Sequence, residues 1–369
     1  MRFSVLVAFK NRDEIRAKNF FDSFVWQTFK DFEVILIDQG SDEAYNVWVE
    51  KLPLQYSFLQ CIYTDTRGFL WNKGNALNIG IKAAQGEYIV VADIDLIFRP
   101  DYLDQITKLV KPGIFLTHNV YYIPKTFSFK SIAEVTSSKY NDVFTDGVHS
   151  ACVIKKDILV HIKGYDEYYM VWGVEDDDII RSLLKANQKQ LHYSAADINI
   201  YHQWHPSVSP GNPRPWYLLM VNHLYSVQRD ETFGLNWGKK ISLEERPVLQ
   251  YVEDKKYLLI NKLDFWNDQP LYFFNSFIEG YHKLTPGEVG YVEFPFLTQA
   301  PQKTTSWFKK KTVATQNTEQ ITNKDISQFF QFFIGSHLKE LEDYFYSEEN
   351  NSFLFVCIKG STEKLQPLI

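Results

Sequence analysis

Strand-like and helix-like apolar patterns alternate over the first hundred residues, and this rhythm limits the possible folds more than any other feature. Apolar runs of strand length occur at Phe3–Phe9, Glu33–Asp38, Phe58–Tyr63 and Glu87–Asp93. Between the first two, Ile15, Phe20, Phe21, Phe24 and Val25 recur at helical spacing, and a second helix is expected over Asn75–Ala84, ending near Gly86. Strand, helix, strand in this order is the βαβ unit of a parallel, Rossmann-like sheet. No Gly-x-Gly-x-x-Gly fingerprint or Walker loop accompanies it, which argues against an NAD enzyme or a P-loop ATPase.

The remaining chain divides by character. From about Gly113 to Pro215 the pattern is irregular. It holds a dense acidic segment, a short strand expected at Asp197–His202 with Ile198, Ile200 and His202 on one face, and a Pro/Gly-rich loop over Pro206–Pro215. After about Leu243 come strand candidates at Tyr257–Ile260 and Phe353–Ile358 and a polar stretch at Gln299–Thr322. A helix there carries Ile326, Phe329, Phe330, Phe333, Leu338 and Leu341. The expected divisions are residues 1–112, 113–243 and 244–369, the last an α+β extension without a chemical motif. A net charge of −6 leaves no basic surplus for nucleic acid. The N-terminus lacks a signal-peptide pattern, and no segment approaches the roughly 20 apolar residues of a membrane span. Cys61, Cys152 and Cys357 are odd in number and far apart, so buried thiols in a reducing compartment are expected over disulfides. A cytoplasmic protein is the expectation, with peripheral work at a membrane left open.

Two acidic segments point to chemistry. Glu87–Ala92 ends in Asp93-Ile94-Asp95, and alternation along an extended chain would put both carboxylates on one side. Carboxylates at the carboxyl end of a strand in an open sheet sit where α/β folds bind ligands, and hard oxygens there suit Mg²⁺ or Mn²⁺ held with substrate phosphates. The second segment, Gly164–Asp178, runs through Trp172-Gly173 into Glu175-Asp176-Asp177-Asp178 and opens a helix carrying Ile179, Ile180, Leu183 and Leu184. An acidic first turn complements the helix dipole, yet four adjacent carboxylates exceed that need and repel one another.

With those residues in view, four segments resemble GT-A nucleotide-sugar glycosyltransferases. The N-terminal third looks like family 2 enzymes, and the motif set is most similar to the beta-1,4-galactosyltransferases and chondroitin-polymerase-like enzymes. Phe9-Lys10-Asn11-Arg12-Asp13-Glu14 resembles the nucleotide-binding loop Pro-Phe-Arg-Asn-Arg-x-Glu, with Ala8 for Pro and Lys10 for Arg. Asn72–Gly80 resembles Asn-Arg-Ala-x-x-x-Asn-x-Gly, with Lys73 for Arg. Asp93–Ile97 resembles the Asp-Val-Asp-Leu-Ile metal motif. Gly164–Asp178 resembles the Trp-Gly-Gly-Glu-Asp-Asp-Asp segment, departing at Val171 and Val174.

This resemblance covers about residues 1–225 and implies a GT-A fold, a mostly parallel sheet flanked by helices. It further implies an inverting, divalent-metal-dependent transfer from a UDP-sugar to a glycan acceptor in bacterial surface polysaccharide synthesis. Galactose or N-acetylgalactosamine is the favoured sugar, and a lipid-linked acceptor is left open. Asp176 would be the catalytic base, with Trp172, Glu175 and Asp177 binding acceptor. Ala8, Phe9, Lys10, Arg12, Asp38, Lys73 and Asp93 would bind the donor. Asp95 and His202 would hold Mn²⁺ or Mg²⁺, with His205 a competitor for the second position, and Thr145 falls at the family's donor-pocket position. A retaining N-acetylgalactosaminyltransferase and a catalytically silent UDP-sugar binder are the alternatives.

Overall fold

The computed structural model describes the chain except residues 148–151, 172, 207–214, 227–236, 254, 260, 264–269, 297–321 and 362–369. It divides into two compact units, Met1–Leu243 and Glu244–Leu368. The first unit contains β1 (Phe3–Phe9), β2 (Phe32–Gln39), β3 (Leu59–Thr64), β4 (Tyr88–Val91), β5 (Leu96–Phe98), β6 (Ile114–His118), β7 (Val120–Tyr122), β8 (Thr145–Gly147), β9 (Cys152–Lys155), β10 (Lys189–Tyr193) and β11 (Ile200–His202).

Seven of these form one sheet in the order β10-β6-β9-β4-β1-β2-β3. The β4-β1-β2-β3 half is parallel throughout, and β9 alone runs antiparallel to its neighbours β4 and β6. The mostly parallel α/β fold expected from the βαβ rhythm is therefore the one observed. Strands β1, β2 and β4 are almost wholly buried, as sheets covered on both faces require. Strand order reverses at β1, so the carboxyl ends of β1 and β4 flank the crevice where open α/β sheets bind ligands.

The helices follow from their caps and apolar faces. Glu14–Val25 starts at Asp13, whose side chain accepts from Arg16 N, and buries Phe20, Phe21 and Phe24 completely. Each buried phenyl is worth about 1.5–3 kcal/mol. Ile15 and Val25, expected on that buried face, are instead 74% and 46% exposed, because the inward stripe is centred on the phenylalanines and Ala17. Lys73–Ala83 is capped by Asn72 and lies flat on β1 and β2, where a Cβ at Gly80 would meet Ile37 Cδ1.

Several local expectations are corrected. Asp93 and Asp95 do not extend β4; they occupy the turn before β5, closed by Leu96 N donating to Asp93 O at 3.1 Å. The strand expected at Asp197–His202 is a short helix, Ala195–Ile198, closed by left-handed Asn199, and only Ile200–His202 is extended. A Ser194–Asp197 capping box recruits Asp197 for the helix start.

The second unit has its own sheet, ordered β12-β13-β15-β14, of β12 (Asn261–Lys262), β13 (Val289–Pro295), β14 (Leu341–Ser347) and β15 (Ser352–Lys359). Lys256–Leu259 forms a 3₁₀ turn where a strand was expected from Tyr257, and Ile260 lies outside the described residues. The phenylalanine-bearing helix is Asn323–His337, so Leu338 falls in a 3₁₀ turn and Leu341 opens β14. Phe330 and Phe333 pack on Phe277 and Phe355 within this unit. The polar stretch up to residue 321 lies outside the described residues.

Candidate active site

Three loops meet at the carboxyl ends of β1, β2 and β4. The β1 loop carries Lys10, Asn11 and Arg12. Left-handed Asn11 (φ 49°) accepts from Asp42 N at 2.9 Å, and its own N–H donates to Ser41 Oγ at 3.0 Å, tying this loop to the end of β2. Lys10 Nζ donates to Phe69 O at 2.9 Å. Phe9 is fully buried, its ring against Trp48. Ala8 and Arg12 are half-buried. Asp38 is 2% exposed and accepts from Ser41 N at 2.9 Å. Burial raises its pKa against the opposing effect of Ser41 and Lys10.

The turn after β4 brings Asp95 to two imidazoles. His205 Nε2 lies 3.1 Å from Asp95 Oδ2 and His202 Nε2 lies 3.6 Å from Oδ1. One ligand atom from each residue falls within 4.8 Å of the others. Antiparallel pairing of β11 with β5 aligns His202 with Leu96, and Gln203 N donates to Asp95 O at 2.8 Å. The sequence posed His202 and His205 as competitors, but the structure places both on Asp95. The hydrogen bond to Asp95 raises the His205 pKa. One carboxylate and two imidazoles within this radius fit a divalent ion with bonds of about 2.0–2.2 Å after sub-ångström side-chain adjustment.

The acidic helix Glu175–Lys185 begins abruptly after left-handed Val171, Gly173 and Val174 (φ 72°, 87° and 76°). A β-branched residue at positive φ costs about 1–2 kcal/mol, and Val174 offsets part of it by burial, at 5% exposed. This turn aims the first helical carboxylates at Lys73. Lys73 Nζ lies 3.3 Å from Asp93, 3.4 Å from Asp176 and 3.7 Å from Glu175. Burial opposes the Lys73 charge, but Asp176, Asp93 and Glu175 outweigh it and hold the pKa well above the ordinary value. Burial, with repulsion from Asp176, pushes Glu175 up to about 7. Asp177 is exposed, and Trp172 lies outside the described residues.

Lys73, expected among the donor-binding residues, thus meets the expected acceptor-binding carboxylates. Two supporting residues carried no sequence signal. Glu167 is 7% exposed and accepts from Asn75 Nδ2 at 2.9 Å and Asn78 Nδ2 at 2.7 Å, fastening the acidic segment to the Lys73 helix. The Tyr122 ring lies 4.8 Å from that of His202. Strand pairing brings Tyr122 to the site, whereas Glu167 lies in a loop held there by Asn75 and Asn78 of the Lys73–Ala83 helix.

Known proteins show which family this chain resembles. Residues 4–154 match the family described as glycosyl transferase family 2, and residues 133–205 match the N-terminal domain of galactosyltransferase. The glycosyltransferase GlyG of Streptococcus pneumoniae is 27% identical over 85 residues, covering 23% of this chain and 27% of that protein. The cholesterol galactosyltransferase of Borreliella burgdorferi is 34% identical over 94 residues, 26% of this chain and 25% of that protein. The matched stretches thus span about a quarter of these relatives' lengths. Among solved structures, S. aureus TarS in complex with UDP-GlcNAc has a TM-score of 0.44 at 17% identity, covering 63% of this chain and 69% of that one. Over residues 4–205, therefore, the chain is similar to glycosyl transferase family 2, running into a segment similar to the N-terminal domain of galactosyltransferase.

Proposed function

We propose that this chain is an inverting, divalent-metal-dependent glycosyltransferase that moves galactose or N-acetylgalactosamine from a UDP-sugar to a glycan acceptor in bacterial surface polysaccharide synthesis, working on the cytoplasmic side. The observation that carries this reading is the meeting of two clusters at the crevice: Asp95 with His202 and His205, and Asp176 with Glu175, Lys73 and Asp93. In this reading residues 1–112 bind the nucleotide sugar, 113–243 bind acceptor and complete catalysis, and 244–369 are an appended subdomain.

A divalent ion held by Asp95, His202 and His205 would offset the charge that develops on the leaving diphosphate. Two imidazole nitrogens favour Mn²⁺ over the strictly oxygen-seeking Mg²⁺. Ala8, the Phe9 backbone, Lys10, Arg12 and Asp38 line the nucleotide side. Asp176 removes the proton from the acceptor hydroxyl as that oxygen bonds to the anomeric carbon, the bond to the diphosphate breaks, and UDP departs with the electron pair. Attack opposite the leaving group inverts the anomeric centre. Glu175, Asp177 and Trp172 bind the acceptor sugar.

The test is a screen of UDP-sugars for Mn²⁺-dependent hydrolysis and transfer, followed by NMR of the product anomer. Asp176→Asn should keep UDP and Mn²⁺ binding while transfer falls about 10²–10⁴-fold. Near-normal kcat in that variant, or a retained anomer, would refute the assignment.

A further inference from the structure

One face of the four-stranded sheet β5-β11-β7-β8 carries an unbroken row from the ion site to open surface. β11 pairs with β5 so that His202 stands opposite Leu96, β7 pairs with β11 so that Tyr122 stands beside His202, and β8 pairs with β7 so that Thr145 stands opposite Tyr122. Residues in register on adjacent strands point to the same side, so Leu96, His202, Tyr122 and Thr145 share one face at strand spacings of about 4.8 Å. Gly147, two residues beyond Thr145, faces the same way, and a Cβ built there would overlap the Tyr122 ring. The Tyr122 ring leans on His202 at 46°, yet the residue is 38% exposed.

The two ends of this row differ. On the β5 side, Phe98 packs on Phe20 and Phe24 of the Glu14–Val25 helix, which follows the nucleotide loop directly. Gln203 reaches the same helix, donating to Arg16 O at 3.1 Å and accepting from Asn19 Nδ2 at 2.8 Å. Tyr122 and Thr145 lie on the other side of His202. A diphosphate held at His202 with its nucleoside toward the Glu14–Val25 helix therefore directs its sugar across Tyr122.

Resting on the transferase reading above, we propose that Tyr122 is a specificity-determining residue: its exposed ring is the platform for the transferred hexose, seated by the bare backbone of Gly147. An aromatic ring offers the apolar C–H face of a pyranose a flat surface, and His202 beneath it fixes the tilt. Thr145, opposite in register, then borders the same sugar.

UDP alone and a panel of UDP-hexoses (galactose, N-acetylgalactosamine, glucose, N-acetylglucosamine) report on this directly, because UDP lacks the group that Tyr122 would touch. Affinities are measured calorimetrically with Mn²⁺ for the full chain and its variants. Tyr122→Ala should lose roughly three- to tenfold affinity for the preferred UDP-hexose, the scale of one aromatic contact, with UDP binding unchanged. Gly147→Ala, which displaces the ring while leaving it present, should show the same selective loss. Tyr122→Phe, which keeps the ring, should recover most of what Tyr122→Ala loses. Equal weakening of UDP and UDP-hexose would mean that Tyr122 merely orients His202, and no weakening of either would mean that it bounds no ligand; both overturn the proposal. Wild-type protein that binds neither ligand with Mn²⁺ would take down the transferase reading itself, a result distinct from both.

Discussion

Lys73→Met removes the ammonium shared by Asp93, Glu175 and Asp176 while keeping most of the side chain's length. At 3.3–3.7 Å and an effective dielectric of about 20, each pair interaction is at most about 5 kcal/mol. Carboxylates that gain or lose such a neighbour move by about 1–3 pKa units. Lys73 holds Glu175 down, so its loss drives that group further above about 7. A carboxyl with a raised pKa keeps its proton to higher pH, so Glu175 carries its acceptor-binding charge only above that point. The acid limb of the kcat/KM profile for Mn²⁺-dependent transfer should therefore move up by about 1–3 units. At pH 7 this amounts to a loss of about fivefold or more. Lys73→Arg should return the limb toward its original position. A profile that drops uniformly with its acid limb unmoved would refute this reasoning and return Lys73 to donor binding alone.

Two further outcomes follow from buried charge. Glu175 holds its proton more tightly when folded, so the stability linked to it is present below about pH 4.5 and lost as pH rises toward 7. Glu175→Gln should therefore unfold at higher temperature than wild type at pH 8, by up to about 3 kcal/mol, with the gap closing near pH 4.5; an equal gap at both pH values would contradict it. In the second unit, fully buried Arg246 donates through Nε to Asp343 at 2.8 Å, and Asp343 also accepts from Val248 N at 3.0 Å. Arg246→Met leaves that carboxylate uncompensated and should cost about 3–5 kcal/mol in denaturant unfolding, much of it recovered when Asp343→Asn is added; a single-variant loss below about 1 kcal/mol would show that the pair is dispensable.

The sequence by itself determined the parallel half of the sheet, the two acidic segments and the phenylalanine stripes, because periodicity and run length are local properties. Phe3–Phe9 was readable as a strand to the residue, and Asp13 and Asn72 cap their helices through side chains in the same turn. Local reading failed where a local competitor or a distant partner intervened. Asp197 was drawn into a capping box, and Asp93 and Asp95 left the strand for a turn whose direction depends on β5 pairing with β11. Ile15 and Val25 look like core from their type alone, yet the face of a helix that is buried depends on what packs against it. Only the tertiary structure decided that His202 and His205 both reach Asp95, that Lys73 faces Glu175 and Asp176 across 100 residues of chain, and that Tyr122 lies in register with His202. Those neighbours are set by strand order and crossover, which sum weak contacts over the whole unit, and no window of sequence contains them.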